Sequence, residues 1–265
     1  MAQAMAFWQV FTKQQSRQLL WELTKREIKQ RYKQSILGYF WVILAPTMQM
    51  VVMSFVFSFV FRSAEIGVPY PIYLFAGLLP WNLFSQSLTS ATNVLVSNAG
   101  LIKKIYFPRE ILVLSTILAK NIDFFLSSLI FILMMVIFRI PVTVNIIWFI
   151  PIILIQNLFT YGLSLLMAAF NLFYRDMQYL LNLVILMWMY LTPVMYPVEI
   201  FPEQYQWIFK VNPLAVMINA YREVILAGGS PNLASLGIAV LMSALLVAVG
   251  YNIFKKLEGQ FADSV

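Results

Sequence analysis

Residues 111–138 read ILVLSTILAKNIDFFLSSLIFILMMVIF, and only Lys120 and Asp123 in the run carry charge. As a helix rising 1.5 Å per residue the run is about 42 Å long, more than the roughly 30 Å of hydrocarbon in a bilayer. It predicts a membrane-crossing helix. Five further apolar runs flank it, at 36–61, 72–96, 146–170, 179–196 and 233–254, of which 179–196 is only just long enough. The chain as a whole is 61% hydrophobic and 11% charged, whereas a soluble domain is about half apolar and a quarter charged. The expected fold class is therefore an all-α polytopic membrane protein with six transmembrane helices, and little chain remains for a separate soluble domain.

What lies between the runs sets the rest of the organisation. Residues 1–35 carry Lys13, Arg17, Lys25, Arg26, Lys29, Arg31 and Lys33 against Glu22 and Glu27. Trp21, Ile28 and Tyr32 recur at i, i+7 and i+11, one helical face, which predicts an amphipathic helix along the membrane surface with basic stems reaching the headgroups. The apolar patch from Phe7 to Phe11 lacks a small-residue cleavage site, so no cleavable signal is expected. Residues 36–265 form a single transmembrane domain. Lys103, Lys104, Arg109, Arg175, Lys255 and Lys256 fall on the N-terminal side of the six spans, and only Arg62, Arg139, Lys210 and Arg222 fall opposite. By the positive-inside rule both termini are expected in the cytoplasm. Pro197, Pro202 and Pro213 break residues 197–231 into pieces too short to span, which predicts two short re-entrant or interfacial helices on the outer side. Irregular backbone at that depth needs cover from protein or water.

Composition excludes several chemistries. With no cysteine and no histidine, thiolate and imidazole nucleophiles, bases and metal ligands are ruled out, so no catalytic and no metal-binding residues are expected. No Gly-Lys pair occurs, hence no phosphate-cradling G-x-x-x-x-G-K-[ST] loop. The net charge of +7 sits at the ends of apolar runs, which points to membrane lipids and not to nucleic acid. Lys120 and Asp123, at i and i+3 inside a span, are close enough to pair. Charge at that depth also marks a substrate or proton site, and both readings stay open. Asn82, Gln86, Thr89, Asn93 and Ser97 share one helical face, either as interhelical hydrogen bonds or as a polar lining. The turn from Ser97 to Glu110 contains Leu101, Ile102, Ile105, Tyr106 and Phe107, an apolar surface that needs a membrane or a partner protein to cover it.

Several local sequences then fall in a telling order: Arg31-Tyr32, Leu37-Gly38-Tyr39-Phe40-Trp41 with Pro46, Leu101 to Glu110, Asn171-Leu-Phe-Tyr174-Arg175-Asp176, and Asn212-Pro213 followed by Tyr221-Arg222. Along nearly its whole length the chain resembles the permease subunits of type 2 ABC exporters, specifically those that export O-antigen, capsule or teichoic-acid polymers linked to lipid. The resemblance implies a homodimeric permease in a bacterial inner membrane, bound to two separate ATPase subunits that hold ATP and Mg, with no cofactor in this chain. It further implies a coupling helix at about 97–108 seated on the ATPase, for which Leu101, Lys103, Lys104, Tyr106, Phe107 and Arg109 are the expected contacts. Arg26, Glu27 and Arg31 on the N-terminal helix are expected to make a second contact. Spans one and five would line the polymer channel, with Tyr39, Trp41, Trp188 and Tyr190 as lining residues. The outer broken segment would gate the far end through Trp207, Asn212, Tyr221 and Arg222.

Three other readings compete. A type 2 permease for drugs or small lipids would share this topology. An ion-coupled secondary transporter would need a buried couple, for which Lys120 and Asp123 are the only candidates, and the halves show no repeat. A membrane glycosyltransferase or acyltransferase would want paired acids or a histidine, and the loops offer only Glu110 and Asp176.

Overall fold

The computed structural model describes residues 14–32, 35–60 and 67–264. The patch from Phe7 to Phe11, together with Lys13, Lys33 and Arg62, lies outside the described residues. Among the described residues twelve α-helices follow one another and no strand occurs. The long ones are α1 (Gln14–Tyr32), α2 (Phe40–Val60), α3 (Tyr70–Thr92), α6 (Glu110–Ile137), α7 (Phe149–Phe173), α8 (Met177–Leu191), α10 (Pro213–Ile225) and α11 (Leu233–Leu257). Short helices α4 (Val94–Ser97) and α5 (Ala99–Lys104) form the turn before α6, α9 (Trp207–Val211) precedes α10, and α12 (Phe261–Ser264) closes the chain.

Among the described residues, four stretches are long and apolar enough to cross a membrane: Phe40–Phe59, Glu110–Ile137, Val144–Phe173 and Leu233–Gln260. The sequence led us to expect six. The other two apolar runs do fold as helices, and each falls short for a physical reason. Helix α3 has 23 residues, but it is the central helix, packed against α2, α6, α7, α8 and α10. A helix surrounded by protein can carry polar side chains, and Asn82, Gln86, Ser87 and Thr89 lower its apolar content. Helix α8 has 15 residues, about 22 Å at 1.5 Å per residue. It ends at Leu191 because Pro193 disfavours helical backbone at Thr192, which is extended.

Polar side chains tie the bundle together. Asn82 of α3 donates to Gln49 of α2 at 3.1 Å, and Lys120 of α6 donates to Gln86 of α3 at 3.1 Å. Asn121 of α6 and Asn157 of α7 exchange bonds of 2.7 and 2.9 Å. Asn171 of α7 donates to the Thr92 carbonyl and to Asn93, both at 3.1 Å. Asn82, Gln86 and Asn93 are thus interhelical links, the first of the two readings of their shared face. In hydrocarbon such bonds satisfy groups that water cannot reach.

Helices α7 and α11 pack closely, and two glycines allow it. A Cβ on Gly162 would lie 2.6 Å from both the Leu246 carbonyl carbon and the Val247 nitrogen, and a Cβ on Gly250 would strike the Gly162 carbonyl. Those neighbours are backbone, so they cannot swing aside. Gly250→Leu is expected to force the helices apart at a cost of about 2 kcal/mol, the scale of overpacking. A thermal melt in detergent checks this, and an unchanged midpoint would show that the crossing is not needed for stability.

Helix α1 departs from expectation. It packs along α6, with Leu23 and Thr24 buried and Leu19 and Leu20 against the same core. Leu20, Leu23, Thr24, Glu27 and Arg31 follow i, i+3, i+4, i+7 and i+11, so the protein-facing stripe lies about 90° around the helix from Trp21 and Ile28. Trp21 is 54% exposed. The C-terminal end of α1 reaches Asp123 through Arg31, thirteen residues along α6 from Glu110, or about 20 Å. The helix therefore packs beside the bundle along α6.

Candidate functional site

At one end of the bundle, α4, α5, the start of α6 and the end of α11 meet around a buried cluster that includes Leu23, Leu95, Ile102, Phe107, Ile111, Leu172, Phe254 and Phe261. Asn98 begins α5, and Pro108 separates the turn from α6. Lys255 near the C-terminus of α11 donates to Glu110 at 2.7 Å and to Glu258 at 2.9 Å. Both placements suit the helix dipoles, with a carboxylate at the start of α6 and an ammonium at the end of α11. Arg109 adds bonds from its backbone N–H to the Glu258 carboxylate at 3.1 Å and from its guanidinium to the Glu258 carbonyl. The base of the turn is clamped.

This geometry divides the expected coupling residues in two. Lys103, Lys104 and Tyr106 are exposed, Tyr106 at 98%, and Ile105 beside them is 58% exposed. Leu101 is half-buried. Phe107 is 7% exposed and belongs to the core, and Arg109 is engaged with Glu258. Phe107 and Arg109 therefore anchor the base of the turn. What projects is a short basic and aromatic edge on a rigid base.

The residues expected on the N-terminal contact are engaged within the chain. Arg26 bonds Asn98 at the start of α5, Glu27 lies 3.9 Å from Arg26, and Arg31 pairs with Asp123. Helix α1 thereby braces both the turn and α6. Asp123 and Lys120 do pair, at 3.9 Å, but the contact of Asp123 with Arg31 is much closer. Sequence spacing along one helix could not reveal a partner 92 residues away.

Of the expected channel residues, Tyr39, Trp41 and Tyr190 are 50%, 48% and 60% exposed. They lie on or beside α2 and α8, which leave most of their apolar side chains uncovered: only Leu181 of α8 is buried. Trp188 differs. Its ring packs edge-on against Phe84 at 5.3 Å and Phe159 at 6.1 Å, and its N–H donates to Asn212 at 3.3 Å. It is partly buried and joins α8 to the start of α10.

At the opposite end, Asn212 caps α10 by accepting from the Leu214 N–H at 3.1 Å, and it donates to Thr192 at 3.0 Å. Pro213 occupies the first helical position, where no N–H is needed. Tyr221 and Arg222 are 1% and 6% exposed. Arg222 donates to the carbonyls of Pro193 at 2.5 Å and Val194 at 2.6 Å and stacks on Tyr73 at 3.8 Å. Gly77 makes the room, because a Cβ there would sit 2.5 Å from the guanidinium. Arg222 thus clamps α10 to α3 and to the end of α8, and Tyr221 fills the core, so both of these expected gate residues are buried in the chain. Trp207 is 60% exposed. The clamp left no signal in the sequence beyond an arginine in an apolar setting.

The described residues thus form a helical bundle with four stretches apolar enough to cross a membrane and an exposed basic turn at one end. Residues 18–226 match the ABC-2 type transporter family, and the chain belongs to that family. Among similar proteins, the O-antigen export system permease protein RfbA of Klebsiella pneumoniae is 33% identical over 247 residues, covering 92% of this chain and 94% of its own. Its namesake from Myxococcus xanthus is 31% identical over 255 residues, covering 95% and 96%. The polysialic acid transport protein KpsM of Escherichia coli is 23% identical over 241 residues, covering 88% and 91%.

Proposed function

We propose that this chain is the permease of an ATP-driven exporter that moves a lipid-linked polysaccharide, of the O-antigen, capsule or teichoic-acid type, out of a bacterial cytoplasm. The observation that carries the reading is the projecting edge Lys103-Lys104-Ile105-Tyr106 on its clamped base, a shape suited to receive motion from outside. Relatives named for O-antigen export at 31% identity or more supply the substrate class. Two ATPase subunits bind ATP and Mg and perform the hydrolysis; this chain performs none. On this reading α3 and α8 complete six crossings, the second with help from the turn that follows it, and both termini face the cytoplasm of the inner membrane. Helix α1, within the segment 1–35, braces the coupling end, and 36–265 form the permease domain. Helices α9 and α10 are the outer re-entrant pair. The uncovered apolar faces of α2 and α8 meet a second copy of the chain, so Tyr39, Trp41 and Tyr190 border the path between protomers.

Closure of the ATPases pushes the two projecting edges, and the clamp through Glu110, Lys255 and Glu258 passes that displacement to α6 and α11 as rigid bodies. Deleting the gene for this chain should remove polymer from the cell surface while lipid-linked polymer accumulates on the cytoplasmic leaflet. Surface polymer at the wild-type level in the deletion strain would overturn the reading.

A further inference from the structure

At the end of the bundle opposite the coupling turn, an open groove of about 220 Å³ lies between the turn at Val198–Ile200, α9, α10 and the start of α11. Ser235 in its wall stands about 30 Å along α11 from Lys255 of the clamp. Val216, Asn219, Ala220 and Glu223 follow i, i+3, i+4 and i+7, so α10 turns one face to the groove. The floor is apolar, made by Phe209, Val216, Ala220 and Leu236, all buried. Rings of Phe201 at 5.2 Å and Tyr196 at 6.2 Å hold Phe209 in place.

The rim is polar. Glu199, Lys210, Glu223 and Asn232 are exposed on it, and Asn219 is partly buried. Among the described residues none of the three charged groups is spent on an ion pair, and Glu199 also acts electrostatically on Arg222. Asn232 caps α11 with its side-chain oxygen, accepting from the Ser235 N–H at 3.0 Å, which leaves its amide nitrogen to donate.

Floor and rim together decide what the groove takes. A lipid tail would strip water from the rim charges and give them no partner. A phosphate would be placed beside the carboxylates of Glu199 and Glu223, which repel it. A metal ion finds no group of three or more acidic side chains among the described residues. A sugar ring suits both parts: its C–H face is apolar, and its hydroxyls donate to carboxylates and accept from amides and an ammonium.

We infer that the groove is a saccharide subsite on the outer face, binding one sugar ring of the polymer as it emerges, with Asn219 and Glu223 bonded to its hydroxyls. The inference rests on the reading of the chain as a polysaccharide exporter and adds a place where the chain holds its cargo after the crossing.

The test uses the full-length permease with its ATPase in nanodiscs. The probe is a lipid-free oligosaccharide released by mild acid from the surface polymer of the strain that encodes the chain, and saturation-transfer NMR reads its binding. The oligosaccharide should bind saturably. Glu223→Ala should weaken binding about tenfold, the scale of one hydrogen bond to a charged group. Ser235→Trp should fill the groove and abolish binding. Glu223 is exposed, so its truncation should leave the thermal melt in place, which keeps the test decisive if Ser235→Trp folds poorly. Absence of saturable binding, binding unaffected by Glu223→Ala, or displacement of the oligosaccharide by inorganic phosphate alone would each overturn the inference. If the deletion strain loses surface polymer while the groove ignores the oligosaccharide, the subsite fails and the exporter reading stands. Polymer retained in that strain would overturn both.

Discussion

Arg222→Ala is expected to destabilise the protein by about 3 kcal/mol, because two charge-assisted hydrogen bonds disappear and two buried carbonyls lose their donor. The guanidinium bridges Pro193 and Val194 while its face rests on Tyr73. Lysine cannot replace it, since a point charge on a flexible stem does not span two carbonyls and stack at once. Gly77→Ala should injure the same clamp from the other side, its methyl driven against the guanidinium and 3.0 Å from the Val194 carbonyl. Two residues acting on one contact couple, so the double variant should cost less than the sum of the singles by at least about 1 kcal/mol. Chemical denaturation in detergent measures all three. Strict additivity would mean that Gly77 is not a notch for Arg222.

The combined variant Lys103→Glu, Lys104→Glu and Tyr106→Ala should have the largest effect on function, lowering surface polymer more than tenfold while the melting temperature stays put. The three side chains are exposed, and substitutions at such positions ordinarily change stability by less than about 0.5 kcal/mol. Phe107→Ala, in the same turn, should do the reverse. Its ring is core, and truncating it should cost about 3 kcal/mol and lower the amount of folded protein. The contrast separates a transmitting surface from the base that supports it. Export that survives the triple change, with expression intact, would remove the projecting edge from the mechanism.

The helical, membrane-embedded character of the chain was legible from its apolar runs, and the breaks were legible from prolines. Pro108 does separate the turn from α6, and Pro213 does open α10. The shared polar face of α3 was visible as periodicity, and the structure shows which helices it joins. What could not be read was direction and partnership. An apolar residue in a turn looks the same whether a foreign protein or the chain's own C-terminus covers it. Phe107 proved to share a buried cluster with Phe254 and Phe261, about 150 positions away. Asp123 showed a neighbour at i−3 in sequence, yet the contact that matters comes from Arg31 on another helix. Trp188, expected on the channel, and Arg222, expected at the outer gate, are likewise held by groups distant in sequence, Asn212 for the one and the Pro193 and Val194 carbonyls for the other. Helix α1 has two usable faces about 90° apart, and periodicity alone favoured the more aromatic one.

The central claim is that motion enters this chain from a separate ATPase through the edge around Tyr106. The sequence has no cysteine, so a single introduced thiol reports one position without background. Tyr106→Cys, treated in whole cells with a short thiol-to-amine crosslinker, should give an adduct with an ATP-binding protein, whereas Trp207→Cys, also exposed but at the other end of the bundle, should not. No adduct at position 106, or an equal one at 207, would contradict the account.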